Sequence, residues 1–180
     1  MKKAQLRKVG LTALSWLQDH PELKQHKEAA ILNAFFADEY WQQAQTIGLI
    51  RSLPIEFNTE PIFAQAALAG KQLAVPHSEK EAGLLFHKVT PQTQYITSSF
   101  GVEEPSAQEP LIEKKALDLL IVPGVVFTTK GYRIGFGGGF YDRYLTDYDG
   151  HTCSLVFSEQ IQEQWQPASF DLAIEKIFFE

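Results

Sequence analysis

Cysteine is nearly absent: Cys153 is the one thiol among 180 residues. That excludes an internal disulfide and a thiolate zinc cluster, and it fits a reducing compartment. The five histidines never fall at HxH, HxxxH or HExxH spacing, so a histidine-built metal site has no basis in the sequence. Long apolar runs are missing too, and none approaches the ~20 residues that span a bilayer. The start, Met1 to Lys8, runs into a stretch broken by Thr12 and Ser15. It lacks the apolar core and cleavage site of a signal peptide. The expected location is therefore cytoplasmic, with no membrane partner. Basic charge is in deficit as well. Sixteen Lys and Arg face 22 Asp and Glu, a net charge of −6. Nucleic acid is not an expected partner for such a chain.

What remains is ordinary for a folded domain: 44% hydrophobic and 21% charged residues. A chain of this length buries roughly 70% of its unfolded surface, and a single domain over 1–180 is expected, as a monomer. Residues 2–19 read as a helix with Leu6, Val9, Ala13, Leu14, Trp16 and Leu17 on its buried face. Lys3 and Arg7, four apart, share one face and can grip one anion; a solvated helix end is the alternative. A second helix follows Pro21, with Leu23, Ala30, Ile31, Ala34 and Phe35 inward. Phe36, Tyr40 and Trp41 read as packing aromatics.

Strand at Thr46–Ile50, loop, helix from about Pro61 to Ala69, and strand at Gln72–Val75 form a βαβ unit, which implies a parallel sheet. Asn58 or Thr59 can cap that helix, and Gly70 suits its end. Ligands of open parallel sheets sit beyond the carboxyl ends of the strands. The loop holding Glu56 and Asn58 is there. Gly83–Val89 and Tyr95–Thr97 read as a strand pair, and Phe100 to Pro105 opens a polar loop. His77 and His87 near strand ends read as structural or exposed. Ala116–Pro123 is the strongest strand. Val125–Thr129 leads to a turn at Lys130-Gly131, and a helix begins near Gly139. Strands at Ser154–Phe157 and Ala173–Phe179 finish the chain.

Four glycines fall in the five positions Gly135 to Gly139. Glycine loses more backbone entropy on ordering than any other residue, so such a cluster implies close approach of a ligand to the backbone. The stretch lacks GxxxxGK[ST], and Phe140 stands where GxGxxG needs its third glycine, so neither common phosphate loop fits. The physics of an anion nest survives: successive N–H groups converge, and Lys130 and Arg133 add charge. Asp142 has two open readings. It is a helix-start aspartate favoured by the dipole, or it holds Mg²⁺, which shares oxygen ligands with phosphates.

The run Arg133-Ile134-Gly135-Phe136-Gly137-Gly138-Gly139-Phe140-Tyr141-Asp142-Arg143-Tyr144-Leu145 closely resembles the signature of the 5-formyltetrahydrofolate cyclo-ligase family. Lys3-x-x-x-Arg7, Glu56-Phe57-Asn58-Thr59, Gly101 to Pro105, Asp118 to Gly124 and Phe170-Asp171 extend the match along nearly the whole chain. The resemblance implies an α/β fold, a three-layer α/β/α sandwich with a mostly parallel (mixed) central sheet. It implies ATP and 5-formyltetrahydrofolate, with or without a polyglutamate tail, as substrates. It implies that Lys3, Arg7, Arg133, Ile134, Gly135, Phe136, Gly137, Gly138, Gly139, Phe140 and Tyr141 contact ATP. It implies that Leu53, Glu56, Asn58 and Phe140 meet the folate, that Asp142 and Asp171 bind Mg²⁺, and that Arg133 and Asp142 serve catalysis. Asn58, His77 and Phe140 depart from residues common in the family.

The implied reaction is an ATP-driven ring closure that yields 5,10-methenyltetrahydrofolate, ADP and phosphate. It needs no nucleophilic side chain. Two other readings of the residues stand beside it. One is a sugar-phosphate isomerase or deaminase-like enzyme that uses the nest for a single phosphate. The other is a non-catalytic nucleotide or folate binder.

Overall fold

The computed structural model describes residues 2–180. Its centre is a six-stranded sheet in the order β10-β9-β6-β1-β2-β3. The strands are β1 (Thr46–Gly48), β2 (Gln72–Glu79), β3 (Gly83–Val89), β6 (Leu119–Ile121), β9 (His151–Val156) and β10 (Lys176–Phe179). Every neighbouring pair is parallel except β2 with β3, which form an antiparallel hairpin. Helices cover both faces, so the fold is the expected three-layer α/β/α sandwich with a mixed, mostly parallel sheet.

Alternation along the strands builds the layers, because successive side chains point to opposite faces. Ile47, Leu73, Val75, Leu119, Ile121 and Leu155 face one side. There they meet α1 (Lys3–Gln18), α2 (Pro21–Ala37), α3 (Glu39–Gln43) and α4 (Glu60–Leu68). Ala74, Leu120 and Phe86 face the other side and meet α5 (Phe140–Leu145). Gly48 lies on that thinner side. A Cβ there would stand 2.8 Å from Leu120 and 2.9 Å from Phe86, which accounts for a glycine in a central strand.

Several expected details differ. In α1 the buried positions are Leu6, Gly10, Leu14 and Leu17, while Val9 and Trp16 are 39% and 46% exposed. Gly10 lets the helix close on Val125, whose carbonyl oxygen would be 2.5 Å from an added Cβ. That contact rotates the buried stripe away from Val9. In α2 Leu32 and Glu28 are buried beside Ile31 and Phe35, and Leu23 and Ala34 are exposed. Trp41 is core, with Phe36 and Tyr40 packed against it.

The expected pair of Gly83–Val89 with Tyr95–Thr97 does not form. β3 takes β2 as its partner through a short turn, and β4 (Tyr95–Thr97) pairs with β5 (Glu103–Pro105). The supposed polar loop at Phe100 to Pro105 thus contributes a strand to a separate two-stranded ribbon. The strong apolar run at 116–123 supplies only three strand residues, with a 3₁₀ turn at Lys114–Ala116 before them. The Asp118 carboxylate between these elements accepts hydrogen bonds from the N–H groups of Gln45 and Thr46, both 2.8 Å. β7 (Val126–Phe127) and β8 (Arg133–Ile134) form a second antiparallel ribbon around the turn expected at Lys130-Gly131.

At α4 the helix cap is Thr59, but its hydroxyl donates to the Ile50 carbonyl at 2.9 Å instead of capping. The neighbouring Asn58 side chain takes over and accepts from the Glu60 N–H at 3.1 Å. Among the described residues no helix is long and apolar enough to cross a membrane.

Candidate functional site

The glycine block connects β8 to α5 as an exposed loop. Gly137 has φ +112 and Gly139 has φ +66, conformations that L side chains rarely adopt. No N–H from Gly135 to Gly139 donates to an acceptor among the described residues. Such a run of free donors is what an anion nest requires. The helix beyond it has only six residues, so its dipole adds little and the loop amides carry the attraction.

Cations from two directions reach this loop. From α1, the Arg7 Nε–H donates to the Gly135 carbonyl at 2.8 Å, and the guanidinium lies beside Gly137. Lys3, one turn earlier, donates to both Asp171 oxygens at 2.6 Å. From β8, Arg133 enters a nearly dry position, 5% exposed. Its Nη2 is 3.2 Å from Asp142 Oδ1, and its Nη1 donates to the Leu172 carbonyl at 3.4 Å. Burial pulls the Arg133 pKa down, opposed by the charges of Asp142, Tyr141 and Asp171. A guanidinium starts so high that it stays charged.

The proposed metal ligands thus lie in one neighbourhood, each against a cation. Asp142 Oδ1 is buried and its contact with Arg133 lacks hydrogen-bond alignment, so it has no hydrogen-bond partner among the described residues. Asp171 Oδ2 also accepts the Ala168 N–H at 2.6 Å. Among the described residues no cluster of three or more His, Cys, Asp or Glu could hold a metal alone. A misaligned buried carboxylate oxygen plus one further carboxylate suits Mg²⁺, which takes one or two protein carboxylates and completes its shell with phosphates and water. The residues fit that ion.

Tyr141 follows the loop in α5, packed against the second core. Its hydroxyl is buried without a hydrogen-bond partner among the described residues. Burial pushes its pKa far up, with the charge of Glu56 next among the causes. Glu56 belongs to the loop after β1, half-buried, its Oε2 accepting the Leu53 N–H at 2.8 Å. Desolvation raises the Glu56 pKa, against the pull of the Leu53 N–H and the Lys24 charge. Glu56, Phe57 and Thr59 line a narrow cleft with Val122, Gly124 and Gln160, at the carboxyl ends of β1 and β6. This is where an open parallel sheet takes its ligand.

Not every expected residue points into this space. Ile134 is core, so only its backbone is free to serve a ligand. Phe136 is 52% exposed. Phe140 packs against the second core, and its ring crowds the place of a Gly138 Cβ. Asn58 is exposed and its side chain is committed to α4. Lys130 is exposed on the β7–β8 turn.

Sequence reasoning missed a pair. His77 Nδ1 on β2 is 3.1 Å from Glu104 Oε2 on β5, and the Glu104 charge also reaches Tyr141. Neither residue signals this alone, because the pairing of β4 with β5 brings Glu104 there.

The model of the 5-formyltetrahydrofolate cyclo-ligase family matches residues 1–180. This chain belongs to the 5-formyltetrahydrofolate cyclo-ligase family. It is 32% identical over 132 residues to the 5-formyltetrahydrofolate cyclo-ligase of Escherichia coli (strain K12), covering 67% of this chain and 72% of that one. It is 29% identical over 185 residues to the enzyme of that name from Haemophilus influenzae, covering 96% and 95%. The 5,10-methenyltetrahydrofolate synthetase structure from Aquifex aeolicus superposes with a TM-score of 0.84 at 25% identity, covering 99% of this chain and 90% of that one. The chain is an enzyme, a cyclo-ligase of folate metabolism. The isomerase and the non-catalytic binder have no place beside these matches.

Proposed function

We propose that the chain converts 5-formyltetrahydrofolate to 5,10-methenyltetrahydrofolate with ATP and Mg²⁺, releasing ADP and phosphate. The observation that supports this is the neighbourhood of an anion nest and a carboxylate cleft. A loop with five N–H donors unused among the described residues is flanked by Arg7 and Arg133, and Glu56, at the cleft beyond β1 and β6, is close enough for its charge to act on Tyr141 in the helix that follows the loop.

The chemistry is an exchange of leaving groups. The formyl oxygen on N5 attacks the γ-phosphorus of ATP in line, and the bond to the β,γ-bridging oxygen breaks, releasing ADP. N10 then attacks the activated formyl carbon and loses its proton. Phosphate leaves with the carbon–oxygen bond electrons. The product is the methenyl cation. Expelling oxide directly is prohibitive, whereas phosphate is a good leaving group. The protein positions two substrates and neutralises charge on the transferring group. Arg133, already desolvated, contributes more to that charge than a solvated cation does. The loop N–H groups hold phosphate oxygens. Lys3 exchanges Asp171 for phosphate oxygens, and Arg7 keeps the Gly135 carbonyl through Nε while its terminal nitrogens take phosphate oxygens. Asp142 and Asp171 hold Mg²⁺, which when bound neutralises phosphate charge.

Mixing the protein with 5-formyltetrahydrofolate, ATP and Mg²⁺ is expected to raise the methenyl-folate absorbance. A rise that does not depend on ATP, or no rise, refutes the assignment.

A further inference from the structure

We propose that Lys24 and Glu28, one turn apart on α2, are positioning residues that hold the loop 53–59 from behind and so set the folate half-site. This rests on the reading that this loop meets the folate. Lys24 Nζ donates to the Pro54 carbonyl at 2.8 Å, near the start of the loop. Glu28 Oε1 accepts the Asn58 N–H at 2.9 Å, near its end. The two side chains lie 3.6 Å apart and are both largely buried.

The arrangement is unusual for a helix surface. Glu28 is only 7% exposed. A carboxylate that deep is retained where its hydrogen bonds matter, because burial without partners is costly. Between the two anchors the loop closes on itself through the Glu56 N–H to the Leu53 carbonyl, 2.9 Å, and the Leu53 N–H to Glu56 Oε2, 2.8 Å. The Glu56 carboxylate thus sits on a tight turn whose two ends are fastened to one helix. Loops are the mobile parts of a fold. Fixing both ends removes freedom that a ligand otherwise has to freeze, which raises affinity without any contact to the ligand.

Lys24 has a second effect. The titratable groups near Glu56 are Lys24 on α2, with Glu28 paired to it, and the neutral Tyr141 on α5. Of these only Lys24 is a cation, and its charge favours the ionised form of Glu56. The same side chain therefore fastens the loop and favours the ionised carboxylate, against the burial that raises its pKa.

Titration calorimetry with 5-formyltetrahydrofolate, and separately with ATP and Mg²⁺, tests this on four variants. Glu28→Ala and Lys24→Met are expected to weaken folate binding roughly tenfold, the worth of one lost charge-assisted hydrogen bond. ATP binding is expected to stay unchanged. Glu28→Gln keeps an acceptor oxygen and Lys24→Arg keeps donor and charge, so both are expected to bind folate nearly as the wild type does. In Lys24→Met the pH below which folate binding fades is expected to move up, since a favourable charge is gone. Folate affinities of Glu28→Ala and Lys24→Met within twofold of the wild type overturn the proposal, as do equal losses for folate and ATP or an unmoved pH limb. Where Glu28→Ala gives no cooperative melt, the Lys24 pair decides. A wild type that binds no folate overturns the functional reading itself. A wild type that binds, with unaltered variants, overturns only the brace.

Discussion

Removing the Asp142 carboxylate separates its proposed role in turnover from its role in the fold. Arg133 is a buried cation whose nearest counter-charge is Asp142 Oδ1 at 3.2 Å. Breaking a fully buried pair costs about 3–5 kcal/mol. This pair is only half of that kind. The Arg133 side chain is 4% exposed but that of Asp142 is 30% exposed, and the Leu172 carbonyl remains as an acceptor. Solvent screening and the remaining partner reduce the cost to about 1–2 kcal/mol. For a chain of this size, that lowers Tm by roughly 3–6 °C. Asp142→Ala is therefore expected to fold, to melt a few degrees early, and to lose ATP-dependent formation of the methenyl product. Asp142→Asn is expected to lose turnover equally, since an amide neither neutralises Arg133 nor serves a hard cation well. Thermal melts with and without ATP and Mg²⁺, beside the absorbance assay, read both effects. A variant that turns over at the wild-type rate refutes the role of Asp142. An unchanged Tm refutes the reasoning about Arg133.

Two further outcomes follow from the loops. Gly137→Ala forces a side chain onto φ +112, a strain of roughly 1–3 kcal/mol; ATP binding measured by calorimetry is expected to weaken, and an unchanged affinity means that the loop does not contact the nucleotide. Burial raises the Glu56 pKa above that of a free glutamate, so the folded protein holds that proton more tightly than the unfolded chain does. Its contribution to stability is thus full below the pKa of a free glutamate and falls as pH rises through the folded pKa. Glu56→Gln keeps the acceptor for the Leu53 N–H and lacks the charge. Denaturant melts are expected to show the variant gaining on the wild type between acid and neutral pH while folate turnover drops. A stability difference independent of pH contradicts the assignment.

Much of the layered architecture is written locally. The βαβ unit from Thr46 to Val75 is legible because its apolar runs, helix cap region and terminal glycine lie within thirty-odd residues of each other. The glycine block is legible for a different reason: four glycines in an exposed loop make no sense as packing. Strand partnership is not local. Nothing in Tyr95–Thr97 says that it pairs with Glu103–Pro105 in preference to Val89, since a three-residue strand carries too little pattern to choose. Val9 and Trp16 fit a helical stripe by spacing, yet Gly10 rather than either of them meets β7. The Arg133–Asp142 pair was within reach as two charges flanking the loop. The Lys24–Glu28 brace was not, because an i, i+4 pair on a polar helix reads as solvated surface until tertiary packing buries it.

The contact between Arg7 and the Gly135 carbonyl carries a consequence for electron distribution. That carbonyl and the Phe136 N–H belong to one peptide unit, whose atoms share a delocalised π system. A cation donating 2.8 Å from the oxygen draws density toward it. The amide nitrogen becomes poorer in electrons and its hydrogen more positive, so the Phe136 N–H becomes a stronger donor toward whatever faces the loop. Arg7 thereby tunes the cradle through a covalent bond while the site is still empty of ligand. An arginine on the first helix is in this sense an electronic substituent on a peptide more than a hundred residues away.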